Sequence, residues 1–582
     1  MFLTSHPTTL LISLLTLFST PYQHQRASAQ TLGFDTREAT ISSVHHALFT
    51  GHSTCHSITS AFLTRITAHN PTINALISLN PSALTTASNL DTALTSGNAS
   101  ASTQPLFCIP ILLKDNYDAP PLPTTGGSLA LADLVPSSDA PTVAALKRAG
   151  AIVLGKTNLH ELALEGLTVS SLGGQTLNPY DATRTPGGSS GGSGAALAAS
   201  FAVLATGTDT VNSLRSPASA NGLWSVRPTR GLVSRTGVVP ISYTQDACGV
   251  MGRSVDDVAV GLGVMAAAAA GFDAWDNATA LVPERVGGID YAAELAGAPT
   301  RLEGVRLGVL DSFFNRTRGP ETDPVNEAMD GALRKMEAGG ATVVRIEDAA
   351  VFNVTAMLAS LDTQRFEYRE AMDAYLQDPG HASASNGTSF PRSLAELYAT
   401  NNTSGAGTGT GSFLVIPAQY EYVTTALHSS TSNATYASVQ AGIRNLTLAL
   451  AATLSQNKLS ALVYPQQRNL VVKVGSASQS GRNGILAALT GSPVVAVPVG
   501  YSEATDEAPV GVPIGMEILG APWEEVALLR IAKAVGVALG PQGRRRAPKF
   551  AEAFLEVDEY EDVPVVTPDR ENIPAAYPVG VL

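Results

Sequence analysis

The apolar positions of the chain follow a helical period in some segments and form short continuous runs in others. Between residues 37 and 70 they recur at helical spacing, which predicts helix, at Ile41, Val44, Leu48, Ile58, Phe62, Leu63 and Ile66. Residues 143–155 predict a helix followed by a short buried strand, and this order recurs near residues 336–344 and 485–499. The alternation predicts an α/β sheet with helices on its faces.

Changes in polarity divide the chain into three predicted regions. Residues 1–29 form a predicted signal peptide, and residues 30–540 form the predicted domain. Residues 541–582, which are rich in Pro and Glu, are predicted to lie extended on the surface. Within the domain, residues 285–440 are rich in Asn, Thr, Ser and Gly, and we interpret them as a variable cap or insertion.

Features of the N-terminus and of the surface segments predict export. Leu10 to Phe18 is an apolar run too short to span a bilayer, and Ala27-Ser28-Ala29 has the small residues that precede a cleavage site. No later run of eighteen or more uncharged apolar residues occurs, so we expect no stable membrane insertion. We therefore expect a secreted, extracellular protein that carries N-glycans. The N-x-S/T sequons are at Asn98, Asn277, Asn315, Asn353, Asn386, Asn401, Asn402, Asn433 and Asn445.

Composition and charge exclude several classes of function. Of the 582 residues, 44% are hydrophobic and only 15% are charged, which indicates a globular protein with a large core. The net charge is −13 and the one basic cluster is Arg544-Arg545-Arg546, so no nucleic acid partner is expected. Cys55, Cys108 and Cys248 allow at most one internal disulfide. Because no cluster of cysteine and histidine occurs, we expect no metal. We also expect no cofactor.

A glycine- and serine-rich loop carries the chemistry. Residues 184–194 read RTPGGSSGGSG and run directly into the strong helix-forming sequence AALAA. A phosphate-binding loop would need a lysine at its end, and residues 157–226 contain none. No histidine lies between His160 and His381, so a Ser-His-Asp triad has no support nearby. A serine activated by a lysine remains the available route to nucleophilic catalysis.

Several ordered motifs resemble the amidase signature family. They are TPGGSSGGS at 185–193, GTDT at 207–210, SLRSP at 213–217, RPTRG at 227–231, the lysine segment IPILLKDN at 109–116, and the strand segments AALTGSPVVAVP at 487–498 and PIGMEILG at 513–520. The resemblance covers roughly residues 36–540, and residues 231–246 look most similar to the peptide amidase branch. It implies one large α/β domain whose central twisted, mixed, mostly parallel β-sheet is covered by helices on both faces.

The resemblance also implies a role for individual residues. Ser213 would be the nucleophile, and neutral Lys114 would be the base. Ser189 would follow a cis peptide bond, and its hydroxyl would bridge Ser213 and Lys114. The apolar residues before Lys114 could deliver it into a dry interior, where its pKa falls. Gly188 would lower the steric cost of the cis bond, and Ser190 would hydrogen-bond within the triad. The implied substrate is a small-molecule amide or a peptide amide; the oligomeric state is left open.

Two departures from the family pattern concern the oxyanion hole and the lysine segment. Family members commonly place two glycines before the nucleophile, where this chain has Thr210-Val211-Asn212-Ser213. Backbone N–H groups of these four residues would form the oxyanion hole. Neither Val211 nor Asn212 adopts a positive φ as readily as glycine. The second departure is Cys108, where family members often carry glycine.

Three hypotheses remain beside amide hydrolysis. The same serine and lysine residues could cleave esters, or the chain could be a secreted non-catalytic binding protein. The chain also resembles the A subunit of a complex that transamidates charged tRNA. That role is intracellular and needs partner subunits, so the predicted signal peptide argues against it.

Overall fold

The computed structural model describes residues 34–97, 100–101, 103–267, 272–383, 390–399, 412–558 and 560–582. The predicted signal peptide, residues 1–29, lies outside the described residues. Four of the predicted sequons do so too, at Asn98, Asn386, Asn401 and Asn402. Residues Gly33–Leu582 form one compact unit.

Fifteen strands occur in the described residues. They are β1 (Leu76–Leu79), β2 (Pro110–Lys114), β3 (Leu134–Pro136), β4 (Ile152–Thr157), β5 (Val169–Ser170), β6 (Gly174–Gln175), β7 (Leu204–Asp209), β8 (Trp224–Arg227), β9 (Ala247–Gly252), β10 (Arg306–Leu310), β11 (Thr342–Ile346), β12 (His381–Ser383), β13 (Ala461–Pro465), β14 (Val494–Tyr501) and β15 (Pro513–Leu519).

Sixteen α-helices occur in the same part of the chain. They are α1 (Ile41–Phe49), α2 (Cys55–Ile73), α3 (Ala83–Thr95), α4 (Pro141–Arg148), α5 (Gly191–Ala198), α6 (Arg215–Ala220), α7 (Val255–Ala267), α8 (Tyr291–Ala296), α9 (Asp323–Ala338), α10 (Val354–Leu361), α11 (Gln364–Leu376), α12 (Leu394–Leu397), α13 (Tyr420–His428), α14 (Ala434–Gln456), α15 (Ile485–Thr490) and α16 (Glu525–Leu539).

Eleven strands form the central sheet, in the order β1-β4-β2-β7-β9-β8-β14-β15-β13-β10-β11. The pairs β4–β2, β2–β7, β13–β10 and β10–β11 are parallel, and the remaining neighbours are antiparallel. The predicted large α/β domain with a mixed central sheet and covering helices is confirmed. Because β4, β2 and β7 run parallel, their carboxyl ends meet at one edge, which is where α/β proteins place their sites.

The predicted order of helix and strand is confirmed at three places, where α4 precedes β4, α9 precedes β11 and α15 precedes β14. The helical region predicted at 37–70 consists of two helices, because the Thr54 side chain accepts a hydrogen bond from the Ser57 N–H (3.1 Å) and begins α2 anew. Within the described residues, none of the helices combines the length and apolar character that crossing a bilayer requires.

The segment interpreted as a cap, residues 285–440, contributes β10 and β11 to the central sheet as well as helices outside it. Beyond residue 552, the described part of the tail contains neither helix nor strand. It is fixed by hydrogen bonds to early parts of the chain; for example, Asn74 accepts one from the Asp569 N–H (3.0 Å). The boundaries at residues 29, 285, 440 and 540 stay predictions.

One disulfide joins Cys55, at the start of α2, to Cys108, just before β2. Their Cα atoms lie 5.4 Å apart, and Cys248 is a free, buried thiol. Cys108 has a φ of +64°, in the left-handed region that glycine adopts with least cost. The departure from glycine at this position is therefore accompanied by a covalent link to α2.

Candidate active site

Lys114 is the last residue of β2, and its side chain is fully buried. The strand is buried along its whole length, so the lysine is delivered into the interior and not to solvent. Its Nζ donates to the Ser189 hydroxyl at 2.8 Å and to the Thr208 hydroxyl at 2.7 Å. The structure thus joins two of the three predicted catalytic residues directly.

The environment of Lys114 favours its neutral form. Burial lowers the pKa of Lys114 to about 7, although the carboxylates of Asp209 and Asp246 act in the opposite direction. A substantial fraction of the amine therefore has a free lone pair near neutral pH. A lysine in this state can accept a proton from a hydroxyl, which an ordinary surface lysine cannot do.

Ser189 lies in the glycine-rich loop before α5, and the peptide bond between Gly188 and Ser189 is cis, as the family resemblance implies. The loop has glycine because it packs closely against a neighbouring segment. A Cβ at Gly188 would lie 2.6 Å from the Thr168 hydroxyl and 2.9 Å from the carbonyl carbon of Gly166. The Ser189 carbonyl accepts a hydrogen bond from the His160 N–H at 3.1 Å.

Ser213 lies in the turn between β7 and α6 and is 7% exposed, whereas Ser189 is fully buried. The Ser213 carbonyl accepts a hydrogen bond from the Ser190 N–H at 3.1 Å, and this bond joins the turn to the serine loop. The Ser190 hydroxyl bonds to the backbone of Thr208 at 3.3 Å as both donor and acceptor. In the described residues the Ser213 hydroxyl makes no hydrogen bond. Ser213 is therefore connected to Lys114 and Ser189 only through hydrogen bonds of neighbouring backbone.

Residues 210–213 present unused donors beside Ser213. None of the hydrogen bonds among the described residues uses the N–H of Val211, Asn212 or Ser213. Neither Val211 nor Asn212 is among the described residues with positive φ, so the turn forms without the conformation that favours glycine. The Thr210 hydroxyl donates to Asp246 at 2.6 Å and fixes the start of the turn. Three adjacent free N–H groups can bind a developing oxyanion.

A buried charge network secures both ends of this turn. Asp209, at the end of β7, accepts from the Leu214 N–H at 3.1 Å and from Arg215 Nε at 3.0 Å. Arg215 also bonds to Glu517 at 2.5 Å, and Arg227 bonds to Asp209 at 2.9 Å. Although burial acts in the opposite direction, the two guanidinium groups lower the pKa of Asp209 well below its usual range. This carboxylate is therefore ionised at neutral pH.

Sequence reasoning did not identify three further residues of the site, namely Thr208, Asp209 and Arg215. Thr208 and Asp209 lie inside the motif at 207–210, and Arg215 lies inside the motif at 213–217. Their closeness to Ser213 in the sequence was the signal that could have identified them. Thr208 accepts from both Lys114 and the Asn116 amide, the latter at 3.1 Å. Across the described residues, no group of three or more His, Cys, Asp and Glu side chains could hold a metal ion.

Comparisons with known proteins identify relatives along most of the chain. The family model described as Amidase matches residues 57–529. The A subunit of glutamyl-tRNA(Gln) amidotransferase from Psychrobacter sp. (strain PRwf-1) is 31% identical over 86% of this chain and 95% of its own length. The chloroplastic/mitochondrial protein of the same name from Zea mays is 31% identical over 87% of this chain and 90% of its own length.

A solved structure is also similar. The native peptide amidase from Stenotrophomonas maltophilia superposes with a TM-score of 0.73 at 33% identity. The match covers 88% of this chain and 98% of that chain. The likeness therefore extends over most of both chains.

The relatives contradict the predicted location. Their names place them with glutamyl-tRNA(Gln), which takes part in translation inside the cell, and one name is chloroplastic/mitochondrial. The prediction of a secreted, extracellular, N-glycosylated protein is therefore wrong. The argument against the role of the A subunit of a transamidating complex depended on that prediction and no longer holds.

The family itself follows from the extent of these matches. A model that covers residues 57–529 and a relative that is aligned over 95% of its own length leave no large part of the fold unmatched. The chain belongs to the Amidase family, the amidase signature amidohydrolases, and is a hydrolase that acts on amide C–N bonds.

Proposed function

We propose that this protein hydrolyses a carboxamide through an acyl-serine intermediate, with Ser213 as nucleophile, Ser189 as proton bridge and Lys114 as base. The observation that carries the proposal is the 2.8 Å hydrogen bond from Lys114 Nζ to the Ser189 hydroxyl in a fully buried setting. A buried amine beside a serine hydroxyl, close to a second and slightly exposed serine, is the arrangement that activates a hydroxyl without histidine.

In the acylation half-reaction, neutral Lys114 accepts the Ser189 proton while Ser189 accepts the Ser213 proton. The Ser213 oxygen attacks the carbonyl carbon, and the resulting oxyanion accepts hydrogen bonds from the free N–H groups of residues 211–213. Each such donor contributes about 3–4 kcal/mol to the stability of the transition state. The proton returns through Ser189 to the amide nitrogen, the C–N bond breaks, and ammonia or an amine leaves.

Deacylation uses the same groups in the reverse sense. A water molecule gives its proton to Ser189, and Lys114 takes up the proton that Ser189 releases. The hydroxide attacks the acyl-serine, and the Ser213 oxygen leaves with a proton returned through Ser189. The net reaction consumes one water molecule and yields a carboxylic acid and the amine, with the enzyme unchanged.

The proposal is tested by ammonia release from a panel of primary amides. The panel contains a C-terminally amidated dipeptide, an aryl amide and a long-chain fatty amide, together with free glutamine because of the names of the curated relatives. The parent protein is compared with Lys114→Ala and Ser213→Ala. We expect release by the parent and at least a thousandfold slower release by both variants.

Labelling by a fluorophosphonate checks the nucleophile independently of the substrate. We expect one adduct on Ser213 in the parent and none in Ser213→Ala. A parent that neither releases ammonia nor is labelled contradicts the proposal. Ammonia release that persists in Ser213→Ala contradicts the assignment of the nucleophile.

A further inference from the structure

The free N–H groups of the turn at residues 210–213 are each fixed from the opposite side of their peptide unit. A trans peptide unit is planar, so a partner on the carbonyl of one residue sets the direction of the next N–H. The Val211 carbonyl accepts from Arg215 Nη2 at 2.5 Å, which fixes the Asn212 N–H. The Asn212 carbonyl accepts from the Ser216 N–H at 2.8 Å, which fixes the Ser213 N–H.

The direction of the Val211 N–H depends on a side chain from another segment. The Thr210 carbonyl, which belongs to the same peptide unit, accepts from Gln245 Nε2 at 3.2 Å. Arg215 and Ser216 belong to α6, the helix that follows the turn, whereas Gln245 lies 35 positions beyond Thr210, shortly before β9. The Val211 N–H is therefore oriented from outside the β7–α6 connection.

The Gln245 carboxamide is fully buried and is held in one orientation. Its Oε1 accepts from the Thr363 N–H and from the Thr363 hydroxyl, both at 2.8 Å. Because a backbone N–H can only donate, the atom that faces Thr363 is the oxygen and the atom that faces Thr210 is the nitrogen. The Gln245 main chain is fixed as well, since its N–H donates to the Ser242 hydroxyl at 3.0 Å and its carbonyl accepts from Arg227 at 2.7 Å.

Through this side chain the turn is connected to α11. Thr363 directly precedes α11, in the segment that we interpreted as a cap, and its side chain is fully buried. One turn further along, buried Glu367 accepts from the Thr244 N–H at 3.1 Å and from the Thr244 hydroxyl at 2.5 Å. The start of α11 is thus docked on residues 242–245 by hydrogen bonds that are shielded from water.

We propose that Gln245 is a positioning residue through which α11 sets the direction of the Val211 N–H and so controls whether the oxyanion hole is complete. Gln245 acts through the Thr210 carbonyl and not on the substrate. The inference rests on the proposed function, since the oxyanion forms in that reaction. Without the Gln245 bond, the peptide unit between Thr210 and Val211 is free to rotate, and one donor turns away. Because the oxyanion develops only in the transition state, kcat falls while KM changes little.

The test uses Gln245→Met, which keeps the length of the side chain and removes both polar atoms of the carboxamide. Steady-state ammonia release is measured with each amide of the panel described above. For every amide that the parent hydrolyses, we expect kcat to fall about tenfold to a hundredfold and KM to stay within about threefold. The rate of fluorophosphonate labelling at Ser213 should fall by a similar factor, because the phosphoryl oxygen uses the same donors.

Gln419→Met is the matched control for the loss of a buried glutamine. Gln419 is 8% exposed, and its Nε2 donates to the Leu164 carbonyl at 2.7 Å, away from the turn. This variant should lower the melting temperature about as much as Gln245→Met does and should leave kcat within twofold. An unchanged kcat in Gln245→Met, or an equal fall in both variants, overturns the proposal.

Thr363→Val tests the connection to α11 without altering Gln245. It removes one of the two donors to Oε1 and should lower kcat by less than Gln245→Met does. The double variant should be no slower than Gln245→Met alone, because both changes act through the same carbonyl. Losses that multiply in the double variant contradict the proposed connection.

Crystal structures of the parent and of Gln245→Met separate this inference from the proposed function. We expect the peptide unit between Thr210 and Val211 to be rotated in the variant, while the bond from Arg215 to the Val211 carbonyl remains. A rotated peptide unit, in a protein whose parent neither releases ammonia nor is labelled, means that the proposed chemistry fails and the positioning role stands. An unrotated peptide unit in Gln245→Met overturns the inference whatever the activity.

Discussion

At the scale of single residues, the burial of Lys114 sets the pH range of the reaction. The base must be neutral, and its pKa is lowered to about 7. We therefore expect kcat/KM for a neutral amide to be level above about pH 8 and to fall about tenfold per pH unit below about pH 6. A pH–rate profile from pH 5 to pH 9 measures this. A rate that is unchanged down to pH 5 would show that another group is the base.

A second residue-scale prediction concerns the ion pair next to the base. Lys156 Nζ lies 2.8 Å from Asp115, and both side chains are buried. Lys156→Met should lower the free energy of unfolding by about 3–5 kcal/mol, because it leaves an unpaired buried carboxylate. Adding Asp115→Asn removes that charge and should restore part of the loss. Urea denaturation checks both variants, and an equal loss in the double variant contradicts the explanation.

At the scale of elements, the turn between β7 and α6 depends on Asp209. Asp209→Asn removes the charge that holds Arg215 and weakens the bond to the Leu214 N–H, so the donors at residues 211–213 lose their alignment. We expect kcat to fall about a hundredfold, with a much smaller change in KM. Glu38→Gln is the matched control, because Glu38 also pairs with a largely buried guanidinium, that of Arg545, at 2.6 Å. Steady-state kinetics should show the fall in kcat for Asp209→Asn and not for Glu38→Gln.

The covalent connection between α2 and β2 gives a prediction of its own. The disulfide spans a sequence separation of 53 residues, a loop whose closure contributes about 4 kcal/mol through the unfolded state. Cys55→Ala/Cys108→Ala should therefore unfold more easily than the parent. Cys55→Ala/Cys108→Gly should be more stable than that double variant by about 1 kcal/mol, because glycine accepts the positive φ. Equal stability of the two double variants contradicts this reason.

At the scale of the whole molecule, the tail completes the burial of early residues. Arg65 is 1% exposed, and its guanidinium donates to carbonyls of the tail, Ala551 and Ala553. Ending the chain at residue 548 should leave these donors unpaired and lower the melting temperature by several degrees. Arg65→Met in the full chain should lower the melting temperature by less. The truncation combined with Arg65→Met should lower it by less than the sum of the two separate changes. Differential scanning calorimetry compares the three proteins.

Sequence reasoning predicted the α/β class and the short motifs, because helical periods and glycine-rich loops are local properties. Lys114 and Ser189 could be selected from such motifs, and the structure joins them by a hydrogen bond. The network around Asp209 could not be foreseen in full, because the partner that Arg215 finds in Glu517 lies 302 residues further along. Contacts between distant segments leave no periodic trace in the sequence.

The hydrogen bonds between Arg65 and the tail bear on how the protein is made. Arg65 and Ala551 are 486 positions apart in the chain, so α2 gains its last partners only when nearly all of the polypeptide has left the ribosome. Until then the first helices present donors and apolar surface to the surrounding solution. Chaperone binding to the nascent chain is therefore expected to persist until residues 551–553 emerge.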